Sequence, residues 1–194
     1  MILRRTCWLA LGAIITIGGT SARAAAQGWY VGPYVGTTSH ARAAYGDFTS
    51  DLLDETTFGV TGGLTGKVGA EVDFGYTPDF FGYQDATRRK NHVLTLTGAV
   101  TLSKPIHGQR RGRIRPYLAF GGGLFRVATG APNPGKSTTG LAAGGGVTAF
   151  LRDRIGVRGD VRYLRALTGD NRINFWRLSI GMILVRQKVI VQGS

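Results

Sequence analysis

From Gly28 onward the chain alternates, one apolar side chain followed by a small or polar one, in stretches of about ten residues. A period of two marks strands whose faces meet different surroundings, and no window after the first 27 residues carries a capped helical period. Eight strands are predicted. In the first, about Gly28 to Thr37, Trp29, Val31 and Val35 oppose Tyr30, Gly32, Tyr34 and Gly36. The second, Thr57 to Lys67, sets Phe58, Val60 and Leu64 against Gly59, Thr61 and Gly63. The third is the cleanest: Val68, Ala70, Val72, Phe74 and Tyr76 alternate with Gly69, Glu71, Asp73 and Gly75. The fourth and fifth follow near His92 to Leu102 and Arg115 to Arg126, and the sixth runs from Leu141 to Leu151. The seventh alternates Ile155, Val157, Val161 and Tyr163 with Gly156, Arg158, Asp160 and Arg162. The eighth, about Asn174 to Val185, opposes Trp176, Leu178, Ile180, Met182 and Leu184 to Phe175, Arg177, Ser179 and Gly181.

The links alternate in length. Gly66-Lys67 and Arg152-Asp153-Arg154 read as tight hairpins, whereas Ser39 to Thr56, Thr77 to Asn91, Val127 to Thr139 and Ala166 to Ile173 read as longer polar loops. Short turns on one rim and long loops on the other is the build of an outer-membrane barrel. The link from Ser103 to Ile114 departs from that scheme, being long and basic where a short turn is expected.

Alternation does not by itself say which face points inward, because a soluble ligand-binding barrel alternates too. Three features select an apolar face turned outward. Glu71, Asp73, Arg158, Asp160, Arg162 and Arg177 carry both signs on three strands, so they can pair across a narrow lumen, where unpaired charge is costly. Small residues share their face. Aromatics gather at predicted strand ends, Trp29 and Tyr30 near one rim and Tyr76, Phe80, Phe81, Tyr83, Tyr163 and Trp176 near the other, as in interfacial girdles. The competing arrangement is a soluble sandwich or barrel, and Gly28-Trp29-Tyr30 resembles a lipocalin opening without its usual spacer.

The first 26 residues read as a cleaved secretory signal: a basic start at Arg4 and Arg5, an apolar run from Cys7 to Ile17, and Ala24-Ala25-Ala26 before Gln27. The run is too short to span a bilayer as a helix. Cleavage after Ala26 leaves a single domain, 27–194, and removes Cys7, the only cysteine, so no disulfide and no thiolate metal site is expected. The 31 glycines among 194 residues, roughly twice average usage, lie inside the apolar segments rather than in a linker or a collagen-like period.

Arg115-Pro116-Tyr117-Leu118-Ala119-Phe120-Gly121-Gly122-Gly123, the Gly144-Gly145-Gly146 strand and Val157-Arg158-Gly159-Asp160-Val161-Arg162-Tyr163 resemble the outer-membrane β-barrel domain family, the small OmpA-like group. The resemblance spans essentially the whole mature chain. It implies an all-β, eight-stranded antiparallel up-and-down transmembrane β-barrel in a Gram-negative outer membrane, inserted by the barrel assembly machinery, with no catalytic residues. One departure is the end of the chain, which continues past Val185 to Ser194 instead of finishing on a strand with a terminal aromatic.

Formal charge is +13, or about +10 without Arg4, Arg5 and Arg23. The cations are dispersed, which argues against nucleic acid as a partner. Clusters at Arg88-Arg89-Lys90 and Arg110-Arg111-Gly112-Arg113, on loops beside a membrane, fit anionic lipid headgroups or lipopolysaccharide phosphates. The stretch Gly130 to Ser137 satisfies G-x-x-x-x-G-K-[ST], but no helix opening follows Lys136, so neither nucleotide nor any other cofactor is expected. His40, His92 and His107 are candidate bases for a barrel-borne lipid hydrolase or protease, yet none has a serine on the same strand face. Two readings without catalysis are left: a structural, surface-interacting barrel with a plugged lumen, favoured because eight strands enclose only room for side chains, or a narrow channel for small solutes.

Overall fold

The computed structural model describes residues 28–45, 48–51, 55–80, 92–104, 114–128, 136–152, 154–167 and 172–187. Their secondary structure is all strand: β1 (Gly28–Tyr45), β2 (Phe48–Asp51), β3 (Glu55–Thr65), β4 (Val68–Pro78), β5 (His92–Ser103), β6 (Ile114–Ala128), β7 (Lys136–Arg152), β8 (Ile155–Ala166) and β9 (Arg172–Gln187). Each strand pairs antiparallel with its sequence neighbour from β3 to β9, β1 pairs β3, and β1–β9 pairing closes the sheet. Eight long strands thus form a closed up-and-down barrel. Closure gives every barrel strand a hydrogen-bonded neighbour on both sides, which is the condition for strands to cross lipid. Among the described residues no helix is long and apolar enough to span a membrane.

The predicted strands all appear, and most are longer than predicted. β1 continues to Tyr45, and β2 folds back on it with Tyr45 opposite Phe48, so part of the stretch expected as a loop, Ser39 to Thr56, is a hairpin extending one wall. A register shift between Ser39 and Arg42 offsets the ladder, after which β1 goes on pairing with β9 as far as Ala44 opposite Arg172. β7 likewise starts at Lys136 instead of Leu141. Both extensions lie at the long-loop rim, where no lipid imposes alternation on the sequence.

Trp29, Val35, Phe58, Val60, Val72, Phe74, Leu96, Val100, Leu118, Phe120, Leu178, Ile180 and Met182 point outward and are exposed, while Glu71, Asp73, Arg158, Asp160, Arg162 and Arg177 are buried inside. That is the inverse of a soluble protein. An outer band of this size is lipid-facing surface, because soluble monomers rarely expose apolar patches beyond a few hundred Å². Its height follows from the ladder. Trp29 and Ser39, the β1 partner of Trp176, are ten residues apart, which at ~3.3 Å per residue and a tilt of ~40° gives about 25 Å, the apolar height of an outer-membrane barrel.

Glycine serves the inner face. A Cβ on Gly59 would collide with the Tyr34 ring, and one on Gly146 would lie 2.6 Å from the Tyr117 hydroxyl. Both glycines stand directly opposite those tyrosines in the ladder. The glycine excess predicted to suit a crowded interior is therefore tied to particular bulky neighbours.

Candidate functional site: the closed lumen

Counted round the closed sheet, β4 and β8 face each other across the lumen, and so do β1 and β6. β4 presents Glu71 and Asp73 and β8 presents Arg158, Asp160 and Arg162, each set on alternate, inward positions. β1 contributes Tyr30 and Tyr34, β6 contributes Tyr117, and β9 contributes Arg177.

These side chains meet in one network. Arg158 donates through Nη2 to Glu71 Oε2 at 2.5 Å, through Nη1 to the Tyr30 hydroxyl at 2.7 Å and through Nε to the Tyr117 hydroxyl at 2.7 Å. Its guanidinium lies 4.0 Å from the Tyr117 ring centre and 5.3 Å from that of Tyr30, so two opposed strands hold one cation between aromatic faces. Arg162 donates from Nε to Asp160 Oδ1 at 2.7 Å and also bonds Glu71. Tyr30 donates to Glu71 and Tyr117 to Asp160. Arg177 Nη1 donates to Asp73 Oδ1 at 2.9 Å and to the Tyr34 hydroxyl at 2.7 Å. Three carboxylates balance three guanidiniums, so the network carries no net charge, and the bridges are of the charge-assisted, strong kind. The cavity left beside Tyr34, Thr61, Asp73 and Arg162 is about 10 Å³, no more than one water occupies.

A second layer closes the lumen nearer the long loops. Val93, Phe125, Val127, Leu164, Ala166 and Phe175 are buried together with Phe80, whose ring meets Phe175 edge-on at 5.1 Å between centres. Toward the short-turn rim the lumen widens into a cavity of about 50 Å³ beneath Arg158, lined by Tyr30, Thr101, Tyr117, Thr148 and by Arg115, whose guanidinium lies 5.2 Å from the Phe150 ring centre.

Of the aromatics predicted at the rims, Trp29, Tyr76 and Trp176 are exposed on the outer face. Tyr163 packs against Trp176 with ring centres 5.1 Å apart. Two expectations are corrected. Tyr30 points inward, because the position after Trp29 falls on the lumen face, and Phe80 is buried in the apolar layer rather than in a girdle. Sequence reasoning also missed the tyrosines of the network. Tyr30, Tyr34 and Tyr117 stand on the small-residue face in the alternation, and that was the available signal.

His92 opens β5 and lies beside Tyr76, ring centres 5.7 Å apart, away from the lumen. The His40 side chain, His107, Arg88, Arg89, Lys90, Phe81, Tyr83 and the first 26 residues lie outside the described residues. Lys136 and Ser137 open β7, so the phosphate-loop pattern runs into a strand. No group of three or more metal-ligating side chains occurs among the described residues.

A closed barrel with a lipid-facing outside and a charged, filled inside defines an integral outer-membrane protein. Residues 10–182 match the outer membrane protein beta-barrel domain family, and the chain belongs to it. It is a protein of the outer membrane. Among curated proteins none matches the chain by sequence. The fold is similar to that of Neisserial surface protein A, with a TM-score of 0.62 at 14% identity over 80% of this chain and 96% of that one. It is also similar to the N-terminal barrel of Pseudomonas aeruginosa OprF (0.50, 13%, covering 84% and 99%). Ail of Yersinia pestis, solved in complex with the heparin analogue sucrose octasulfate, gives 0.51 at 14% identity, covering 81% and 99%.

Proposed function

We propose that this barrel is a structural and surface-interaction protein of the outer membrane and that it conducts no solute. The observation that carries the reading is the stacking of a neutral ion network and an apolar layer inside one lumen, with about 10 Å³ left within the network. Solute passage would require breaking buried ion pairs, each costly to leave half-made. Work at the surface then falls to the rims and loops. Arg88, Arg89 and Lys90, on the link between β4 and β5, are suited to lipopolysaccharide phosphates, since arginine binds such groups in bidentate fashion. Ail, a similar barrel, is known with a polysulfated sugar bound, and a cationic loop would suit polyanions of that kind. We assign no catalytic role to His40, His92 or His107, and insertion falls to the barrel assembly machinery.

Planar-bilayer recording tests the reading. A silent bilayer is expected from the folded protein. Stable single-channel steps that change size in Arg158→Ala or Glu71→Ala would overturn it in favour of a narrow channel. Loss of lipopolysaccharide binding when residues 88 to 90 are neutralised is the expected result for the loop.

A further inference from the structure

Among the described residues, positive charge is not spread evenly over the two rims. Inside the lumen the ion network is neutral and Arg115 adds one charge, so most of the excess sits outside it. At the short-turn rim Lys67, Lys104, Arg152, Arg154 and Arg186 are all exposed, and none forms an ion pair with a described carboxylate. The sequence places one acid, Asp153, among them. The opposite rim is mixed: exposed Arg126 and Arg165 share it with half-buried Glu55 and Asp79.

The five cations also follow the circumference. The short-turn rim has four stations, the β1/β9 seam and the β3–β4, β5–β6 and β7–β8 links, and each carries at least one of them: Arg186, Lys67, Lys104, and the Arg152/Arg154 pair. Directly beside them stand exposed apolar side chains, Trp29, Leu64, Val68, Leu102, Leu151 and Leu184. Arg186 is the ladder partner of Trp29, side by side on the outer face. A protein partner docks on one side and needs charge gathered there. A ring of cations just below a lipid-facing band is met on all sides only by the headgroups of the surrounding leaflet.

We infer that the short-turn rim is a collar that recruits acidic phospholipid headgroups from the inner, periplasm-facing leaflet. Near-surface cations attract anionic lipid within about a Debye length, and guanidiniums and ammoniums beside a tryptophan anchor the phosphate level. The inference rests on the membrane-embedded barrel and is independent of whether the lumen conducts.

Tryptophan quenching tests it, because Trp29 lies within the collar and Trp176 near the other rim. Two single-tryptophan full-length proteins, Trp8→Phe/Trp176→Phe and Trp8→Phe/Trp29→Phe, are refolded into phosphatidylcholine vesicles. Each is read with the same low mole fraction of brominated phosphatidylglycerol or brominated phosphatidylcholine. Both leaflets have one composition, so the direction of insertion does not matter. At Trp29, phosphatidylglycerol should be enriched about twofold or more over phosphatidylcholine, with a smaller excess at Trp176. In about 1 M salt, where screening shortens to ~3 Å, the Trp29 excess should collapse. It should also shrink when the five cations are changed together to glutamine. The salt arm needs no variant and stands if that protein fails to fold. Equal quenching of Trp29 by the two lipids, an excess unmoved by salt, or a larger excess at Trp176 would each overturn the collar.

Discussion

Changing Glu71 to glutamine keeps the shape of the side chain and removes one charge from the middle of the lumen. The carboxylate is fully enclosed and accepts from Arg158, Arg162 and Tyr30. The amide offers one oxygen for those donors and turns its own N–H groups toward guanidiniums, leaving three buried cations against two carboxylates. Breaking a buried ion pair from one side costs about 3–5 kcal/mol. We place this case near the lower end, about 3 kcal/mol, because Arg162 keeps Asp160 at 2.7 Å and Arg158 keeps it at 3.6 Å. The assay is a urea titration of the barrel refolded in lipid vesicles, followed by tryptophan emission and by heat-modifiable gel migration. A second variant sharpens it. In Glu71→Gln/Arg162→Gln the network is neutral again, so the pair should cost about 2 kcal/mol less than the sum of the single changes. The reasoning is refuted if Glu71→Gln unfolds at the parental urea concentration, or if the double variant loses the full sum.

Three further outcomes follow from the same geometry. Val72 lies mid-strand on the outer face and is 58% exposed; Val72→Arg should cost about 2–4 kcal/mol in vesicles if that face meets lipid, against about 0.5 kcal/mol or less if it met water, as urea midpoints will tell. Gly146→Ala would press a Cβ onto the Gly159 carbonyl and the Tyr117 hydroxyl, so a loss of about 1–3 kcal/mol is expected, while Gly98→Ala, which meets nothing within 4 Å, should leave the midpoint unchanged. Phe125→Ala should cost about 3–5 kcal/mol by emptying the apolar layer, yet leave bilayers silent, because the ion network beneath it is intact.

The legible part of the fold is the part that lipid touches. Val68 to Tyr76 alternates cleanly because every second residue must be apolar against hydrocarbon and the others must fit a crowded interior, so strand, face and direction follow from eight or nine letters. Beyond the lipid that selection stops. Ser39 to Tyr45 lacks alternation, and the hairpin it makes with β2 rests on backbone pairing that leaves no mark on side-chain pattern. Inside the barrel the charged residues are conspicuous, since Glu71 or Arg158 among glycines invites a partner. Their tyrosine partners are not. Tyr30 suits a membrane interface as well as a lumen, and only the fixed register beside Trp29 decides between them. Phe125, Leu164 and Phe175 are harder still: on an inward face they read as lapses in the alternation, whereas together they form a seal.

The two layers fail in different ways, and this bears on what the barrel does. Buried ion pairs can exchange partners while conserving charge: Arg162 already sits between Glu71 and Asp160, with Asp73 at 4.0 Å. A rearrangement of that kind shifts the gap among the charges but does not remove the phenylalanines above it. The apolar layer has no exchange partners and yields only by exposing Phe80, Phe125 and Phe175 to water, a loss of about 1.5–3 kcal/mol for each buried ring. Passage of a solute would need both events at once, at different depths and with no shared side chain to couple them. A lumen closed by two independent means supports a scaffold, and it leaves the outer wall and the two rims, with their unequal charge, as the surfaces through which the protein acts.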